Sequence, residues 1–157
     1  MSEQKSFTRE EANKYFAVDT NNSTWDLVEK ESRSEEETID MIHRAHASAF
    51  HWSKVGQAVN VVRANYLVSK VYFSAGMAEP ALFWAEKTWN QTLDLGLDSW
   101  DYVFACEIMA RAHAARGDRE RFDEVHKKAE AALEGLGKED ADLCRGELER
   151  GPWFGMK

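Results

Sequence analysis

The sequence contains few of the residues that interrupt helices or cross-link chains. Two prolines and two cysteines occur among its 157 residues. Proline breaks a helix interior, so its scarcity leaves long helices uninterrupted, and Pro80 stands where a helix is expected to begin. Cys106 and Cys144 are too few for a disulfide framework and lack metal-ligand spacing, so we expect free thiols in a reducing cytoplasm.

The chain also lacks the signals of membrane-spanning and nucleic-acid-binding proteins. No apolar run approaches the roughly 20 residues that a helix needs to cross a bilayer, and Met1–Lys5 has no apolar core of a signal peptide. The net charge of −8 disfavours nucleic acid and anionic lipid, because both attract basic surfaces. We therefore expect a cytoplasmic protein with neither a nucleic-acid nor a membrane partner.

Catalytic and metal-binding motifs are missing too. There is no phosphate-binding glycine loop, no nucleophile elbow and no Cys–His arrangement fixed by the sequence. Asp40, His43 and His46 would fan over about 120° of one helix, and His51 would point about 140° from His46, so one ion cannot collect them. We expect no enzyme, no cofactor and no metal.

A pocket near His46, His51 and Trp52 stays open as an alternative. Histidine there could serve as a general acid or base, or help to bind a small molecule. His46 also lies among apolar neighbours on its predicted helix, which fits a histidine of the protein core equally well.

A regular spacing of glycines organises the chain. Five glycines follow one another at intervals of 20 or 21 residues: Gly56, Gly76, Gly96, Gly117 and Gly137. Glycine tolerates the left-handed conformation that ends a helix, so this spacing predicts helices of about 16–18 residues joined by short turns. We expect Gly76 and Gly117 to lie just past helix ends with positive φ.

Eight helices are expected in all. Thr8 and Ser34 each begin a capping box, Thr-x-x-Glu and Ser-x-x-Glu, that opens a helix. The first helix is expected to stop at Asp19–Asn22, a cluster of turn-forming residues, and a short second piece is expected at Trp25–Val28. A third helix should reach about Lys54. Its buried stripe is predicted at three- and four-residue steps: Ile39, Ile42, Ala45, Ala49 and Trp52. The remaining helices are expected at 57–75, 79–95, 98–116, 118–133 and 138–150.

The sequence repeats itself with a period of 41 residues. A shift of 41 places Gly76 on Gly117 and Lys70 on Arg111, and it overlays two predicted helices on the next two. A period of this length, with one helical hairpin per unit, is typical of an α-solenoid. We expect an all-α array of about three antiparallel hairpins with extra helices at both ends.

At these residues the chain resembles the tetratricopeptide-repeat superfamily. Ser69, Tyr72 and Ala81 around Gly76 have the spacing of the repeat's small, aromatic and alanine positions. The period of 41 exceeds the roughly 34 residues of the standard repeat by about one turn per helix. The resemblance implies a hairpin array in which the first helix of each hairpin lines a concave, peptide-binding groove.

The chain is also similar to a group of uncharacterised bacterial proteins. Three stretches carry this similarity: Ala45–Trp52, Glu79–Leu82 and Pro152–Trp153. It implies a shared architecture and no particular activity.

Polar and aromatic residues recur at equivalent positions of two predicted first helices. By the resemblance they would line the groove of a scaffold that binds a protein or peptide: Arg63, Tyr66, Lys70, Phe104, Glu107 and Arg111. Lys70 and Arg63 are expected to reach outward and hold a carboxylate of an acidic partner. The alternative is an internal set of ion pairs, in which Glu107 pairs with Arg111 and Lys70 lies across from them.

The C-terminal residues carry an apolar pair that needs a place to dock. Trp153 and Phe154 would form a costly apolar patch in water, so we expect them to cap the chain's own last hairpin or to bind a second copy. A homo-oligomeric structural protein is therefore a third possibility for function. Three segments are expected: N-terminal short helices (1–33), the hairpin core (34–137) and a capping helix with its tail (138–157).

Overall fold

The structure, a computed structural model, describes residues 4–157. Within that range the protein is all-α, with seven helices and no strand, and its helix content of 77% far exceeds the roughly one third of an average globular protein. The helices are α1 (Arg9–Val28), α2 (Glu35–Val55), α3 (Ala58–Ser74), α4 (Ala78–Asp94), α5 (Ser99–Ala115), α6 (Arg119–Leu133) and α7 (Lys138–Glu149). The expected N-terminal segment 1–33 begins with Met1, Ser2 and Glu3, which lie outside the described residues.

The N-terminal region differs from the prediction. Both capping boxes form, at Thr8 and at Ser34, as expected. The predicted stop at Asp19–Asn22 and the separate piece at Trp25–Val28 are wrong, because α1 runs without interruption through both. The protein therefore has seven helices in its described residues where eight were expected.

Hydrogen bonds and packing explain why α1 continues through a cluster of turn-forming residues. The hydroxyl of Thr20 donates to the carbonyl of Phe16, and that of Thr24 donates to the carbonyl of Thr20 at 2.6 Å, so both side chains are satisfied inside the helix. Ala17 is fully buried, and its carbonyl accepts a hydrogen bond of 3.1 Å from Ser48 of α2. Packing against α2 outweighs the local turn preference.

The buried face of α2 is rotated from the predicted one. Ala45 is buried as expected, but Ile39 is 49% exposed, and the other fully buried residues are Met41 and Ser48. These three buried residues follow one another at steps of four and three, so they share one helix face. Ser48 was not predicted as a core residue because it is polar, yet the carbonyl of Ala17 satisfies its hydroxyl.

The helices follow the 41-residue period closely. Helices α3 and α5 begin 41 residues apart, as do α4 and α6. Gly76 and Gly117 both have φ of +73° just past a helix, which confirms the prediction for these two residues. Gly96 shares the conformation with φ of +60°, whereas Gly137 has φ of −65° and precedes α7 as its N-cap.

We expect two glycine substitutions to change stability in opposite directions. Gly117→Ala should lower the free energy of unfolding by about 1–2 kcal/mol, because a Cβ at φ of +73° strains the backbone although no atom lies within 4 Å of it. Gly146→Ala, in the exposed interior of α7 and equally uncrowded, should raise it by about 0.5–1 kcal/mol. Urea unfolding followed by circular dichroism measures both. Equal effects at the two positions would contradict the assigned turn.

The chain divides into two compact units. The first unit ends at Ala64 and contains the packed pair α1 and α2, and the second unit is Asn65–Lys157. In the second unit α5 contacts α4, α6 and α7, so residues on most of its circumference are buried. The three segments expected from the sequence stay a prediction.

The two cysteines are structural. Both are free and buried, in agreement with the expectation of unpaired thiols. Burial raises the pKa of the Cys106 thiol and of the Cys144 thiol to about 11. At neutral pH each thiol is therefore almost entirely protonated and a poor nucleophile.

Candidate functional site

Four charged side chains meet inside the second unit. Lys70 of α3, Glu107 and Arg111 of α5, and Glu147 of α7 are each 5% exposed or less. Such side chains are rarely buried unless they are paired. We call these four residues, together with Tyr66, the buried charge cluster.

Glu107 stands at the centre of the buried charge cluster. Its Oε1 atom accepts hydrogen bonds from Lys70 Nζ at 2.8 Å and from Arg111 Nε at 2.9 Å, and it also contacts Arg111 Nη2. Its Oε2 atom accepts from the Tyr66 hydroxyl at 2.7 Å. Both carboxylate oxygens are therefore satisfied by donors from α3 and α5.

Glu147 completes the charge balance from α7. Lys70 Nζ lies 2.8 Å from Glu147 Oε2, an ion pair by distance although its angles are not those of a hydrogen bond. Arg150 Nε donates to Glu147 Oε1 at 3.1 Å. Lys70 thus lies between two carboxylates, and the charges of Lys70, Arg111, Glu107 and Glu147 sum to zero.

Burial and charge act against each other on the titration of these groups. Burial raises the pKa of Glu107, but the positive charges of Lys70 and Arg111, with hydrogen bonds from Lys70 and Tyr66, outweigh it and lower that pKa to about 2. Burial lowers the pKa of Lys70; Glu107 raises it, Arg111 lowers it further and Glu147 raises it. Both pKa values are lowered, which favours the ionised carboxylate of Glu107 but opposes the ammonium of Lys70, because Glu107 faces two cations whereas Lys70 is buried and shares that carboxylate with Arg111. The close carboxylates on both sides of Nζ act against this effect of burial and favour a charged ammonium.

The predicted groove residues do not face solvent. Five of the six are buried, namely Tyr66, Lys70, Phe104, Glu107 and Arg111, and Arg63 is half-buried. The expectation that Lys70 reaches outward is wrong, since its side chain is 1% exposed. The alternative of an internal set of ion pairs is confirmed by the contacts of Glu107 with Lys70 and Arg111.

An aromatic contact extends the cluster along α3 and α5. The ring of Tyr66 lies 5.1 Å from that of Phe104, which in turn contacts Trp100 at 5.5 Å. Tyr66 and Phe104 were expected on the groove floor, and the structure brings them together as part of the core. Burial and the nearby charge of Glu107 raise the pKa of Tyr66 well above its ordinary value, which keeps its hydroxyl protonated as a donor.

The C-terminal segment 151–157 packs on this cluster. Arg111 Nη1 donates to the carbonyl of Pro152 at 2.7 Å, and the guanidinium stacks on the Trp153 ring at 4.1 Å from its centroid. The Trp153 ring also meets Phe122 at 5.7 Å and His126 at 5.6 Å, and it is 6% exposed. The segment therefore docks on its own chain, one of the two arrangements expected from the sequence.

Further contacts fix the rest of the C-terminal segment. Phe154 lies 6.0 Å from Phe73, although it remains 42% exposed. Arg119 Nη1 donates to the carbonyl of Met156 at 3.0 Å, and Lys157 Nζ donates to the carbonyl of Leu148 at 2.7 Å. Sequence reasoning missed the roles of Glu147 and Arg119, and the apolar Trp153–Phe154 pair was its one signal that the segment docks.

The alternative pocket residues lie in the first unit. His51 Nδ1 lies 2.7 Å from Asn13 Oδ1, and its ring contacts Phe16 at 5.6 Å and Phe50 at 5.3 Å. Trp52 instead meets Lys14, whose Nζ lies 4.4 Å from the centroid of the indole ring. His51 and Trp52 thus contact different residues of α1.

The third residue of that pocket, His46, is half-buried on α2. Burial, and then the nearby His43, lower the pKa of its imidazole. A lowered pKa keeps the imidazole mostly neutral at physiological pH.

An exposed string of aromatic rings crosses the first unit. Tyr15 contacts Phe16 at 5.4 Å, and Phe16 and Phe50 both contact His51. Tyr15 is 61% exposed, Phe16 47% and Phe50 57%. Sequence reasoning did not single out this patch, because it did not show which residues of the first helix pack against α2.

Comparisons with family models, with curated proteins and with solved structures found no match to this chain. Among residues 4–157 no group of three or more His, Cys, Asp or Glu is placed to hold a metal ion. In the same range no helix combines the length and the apolar character that crossing a membrane requires. The site must therefore be interpreted from its own contacts.

Proposed function

We propose that this protein is a cytoplasmic, tetratricopeptide-like scaffold that binds a segment of a partner protein and carries out no catalysis. The repeated hairpins support this proposal. Helix starts and turn glycines recur 41 residues apart in α3–α4 and α5–α6. Stacked hairpins of this kind provide extended surfaces for binding other proteins.

The proposal rests mainly on one observation, which is the contact between α5 and the C-terminal segment. Arg111 binds a backbone carbonyl of that segment and stacks on its tryptophan ring. Arginine and tryptophan are among the residues that dominate the free energy of protein interfaces. Helix α5 thus already contacts one peptide segment, that of its own chain, and this contact supports the proposal.

The structure changes which partner chemistry we propose. Lys70 was expected to attract an acidic segment, but two carboxylates lie within 2.8 Å of its ammonium group. A further carboxylate would have to displace Glu107 or Glu147 from a buried position, which is costly. We therefore propose an aromatic rather than an acidic partner segment.

The two other candidate functions have less support. A small-molecule or enzymatic site at His46, His51 and Trp52 would need polar groups directed into one pocket, and His51 and Trp52 contact different residues of α1. A homo-oligomer would bury the exposed rings of Tyr15 and Phe50. Light scattering of the purified protein distinguishes a homo-oligomer from a monomeric scaffold.

Site-specific photo-crosslinking in the source cells tests the scaffold proposal. A photo-reactive phenylalanine analogue at the exposed Arg119 of α6 lies next to Phe122, whereas one at the exposed Lys127 of the same helix serves as the control. We expect position 119 to capture a protein that position 127 does not. The captured protein must then form a stable complex when both components are purified and mixed. Equal capture at both positions, capture of a second copy only, or failure of the purified mixture would contradict the proposal.

A further inference from the structure

The C-terminal segment is held through features that any peptide of similar composition can supply. Three side chains donate to its backbone or to the end of α7: Arg111 to Pro152, Arg119 to Met156, and Lys157 to Leu148. Only one side chain of the segment, that of Trp153, is fully inserted. The main contacts with the site are therefore made by a backbone carbonyl and the tryptophan that directly follows it.

The site itself is formed by residues outside the segment. Arg111 is held in place by Glu107 and by the carbonyl of Glu147, to which its Nη2 atom donates at 3.1 Å. Its Nη1 atom remains directed at Pro152. Phe122 and His126 of α6 form the other wall of the tryptophan pocket. The pocket is thus preorganised by α5, α6 and α7, which lowers the cost of binding a segment.

The chain's own segment fits this site imperfectly. In the described part of the chain no atom forms a hydrogen bond with the buried Trp153 Nε1 or with the buried His126 Nε2. An unpaired buried polar atom costs free energy relative to the same atom in water. A partner segment with a polar group beside its tryptophan can pair one of these positions and bind more favourably.

We propose that the pocket formed by Arg111, Phe122 and His126 is a binding site for a partner segment that carries a Pro-Trp pair. The C-terminal segment 151–157 occupies this pocket as an intramolecular competitor. This inference rests on the proposed scaffold function and names the chemistry of the partner. Because segment 151–157 belongs to the same chain, its tryptophan competes at an effective concentration of roughly millimolar. Partner segments therefore bind weakly unless the contacts of segment 151–157 with the pocket are weakened.

Binding of the chain's own heptapeptide to full-length variants tests the inference. The probe is a fluorescent, N-terminally acetylated Gly-Pro-Trp-Phe-Gly-Met-Lys peptide, and the control peptide has alanine in place of tryptophan. Trp153→Ala removes the intramolecular competitor and leaves Arg111, Phe122 and His126 intact. We expect fluorescence anisotropy to show at least tenfold tighter binding of the probe to this variant than to the wild type, and no comparable gain for the control peptide.

A second variant keeps the test decisive if Trp153→Ala fails to fold. Phe154→Ala combined with Lys157→Ala leaves the buried tryptophan in place but removes the contact with Phe73 and the hydrogen bond to Leu148. Because these contacts are partly exposed, we expect this variant to keep the wild-type helical signal and to bind the probe about threefold more tightly than the wild type.

The outcomes separate this inference from the scaffold proposal. If folded variants bind the tryptophan and alanine peptides equally, the pocket does not recognise tryptophan and the inference is wrong. The scaffold proposal then depends on the crosslinking result alone. If the probe binds but position 119 captures no partner, the pocket exists and the scaffold proposal fails.

Discussion

Glu107→Gln is expected to lower the free energy of unfolding of this protein by about 3–5 kcal/mol. The wild-type carboxylate accepts hydrogen bonds from Lys70, Arg111 and Tyr66 inside the second unit. A neutral amide of the same size removes the negative charge that both buried cations contact, and Lys70 keeps one carboxylate, that of Glu147. Removing one member of a buried ion pair is costly because the remaining charge stays away from water.

Glu124→Gln is the matched control for this substitution. Glu124 forms an i,i+4 pair with Lys128 at 3.1 Å, but its side chain is 62% exposed. Exposed pairs of this kind contribute less than about 1 kcal/mol. Urea unfolding of both variants, followed by circular dichroism, measures the difference. Similar small losses for Glu107→Gln and Glu124→Gln would show that the cluster is not the buried, mutually dependent set of charges described above.

The second large effect is a loss of stability in acid. The pKa of Glu107 is about 2 in the folded protein, against an ordinary value of 4.5. The folded state therefore binds this proton less readily than the unfolded state does. The resulting stabilisation is fully present above pH 4.5 and is lost as the pH falls from about 4.5 towards 2. Over that window we expect Glu107 alone to account for a loss of about 3 kcal/mol.

Carbon-13 NMR of the glutamate side chains measures this titration directly. The carboxyl carbon of Glu107 should keep the chemical shift of the ionised form from neutral pH down to about pH 3, with the other glutamates of the same sample as internal references. Urea midpoints at pH 6 and pH 3 provide the corresponding stabilities. A Glu107 resonance that titrates near pH 4.5 would contradict the ion-pair geometry.

The buried charge cluster connects three helices and the C-terminal segment. Lys70 lies on α3, Arg111 on α5 and Glu147 on α7, and Arg111 also binds the carbonyl of Pro152. Buried ion pairs often add little net stability compared with an apolar core, but a displaced charge is strongly penalised. We infer that the cluster fixes how α7 and the segment sit on α5, which in turn places the tryptophan pocket.

Local sequence signals were sufficient for most helix boundaries. Thr8 and Ser34 form the predicted capping boxes, and Gly76 and Gly117 adopt the predicted left-handed conformation. These signals depend on bonds within a few residues of each other, so the sequence alone reveals them. The prediction failed at Asp19–Asn22, where a tertiary contact between α1 and α2 decides the conformation.

The sequence by itself determined that this is an all-α protein whose helix starts recur with a period of 41 residues, and it singled out Lys70, Glu107 and Arg111 as residues that belong together. Only the tertiary structure decided that these residues are buried and that the segment 151–157 covers Arg111. A helical period shows which residues share a face, but it does not show what covers that face. Here the cover comes from α7 and the C-terminal segment, some 40 residues further along the chain, and a contact over that distance leaves no periodic signal in the sequence.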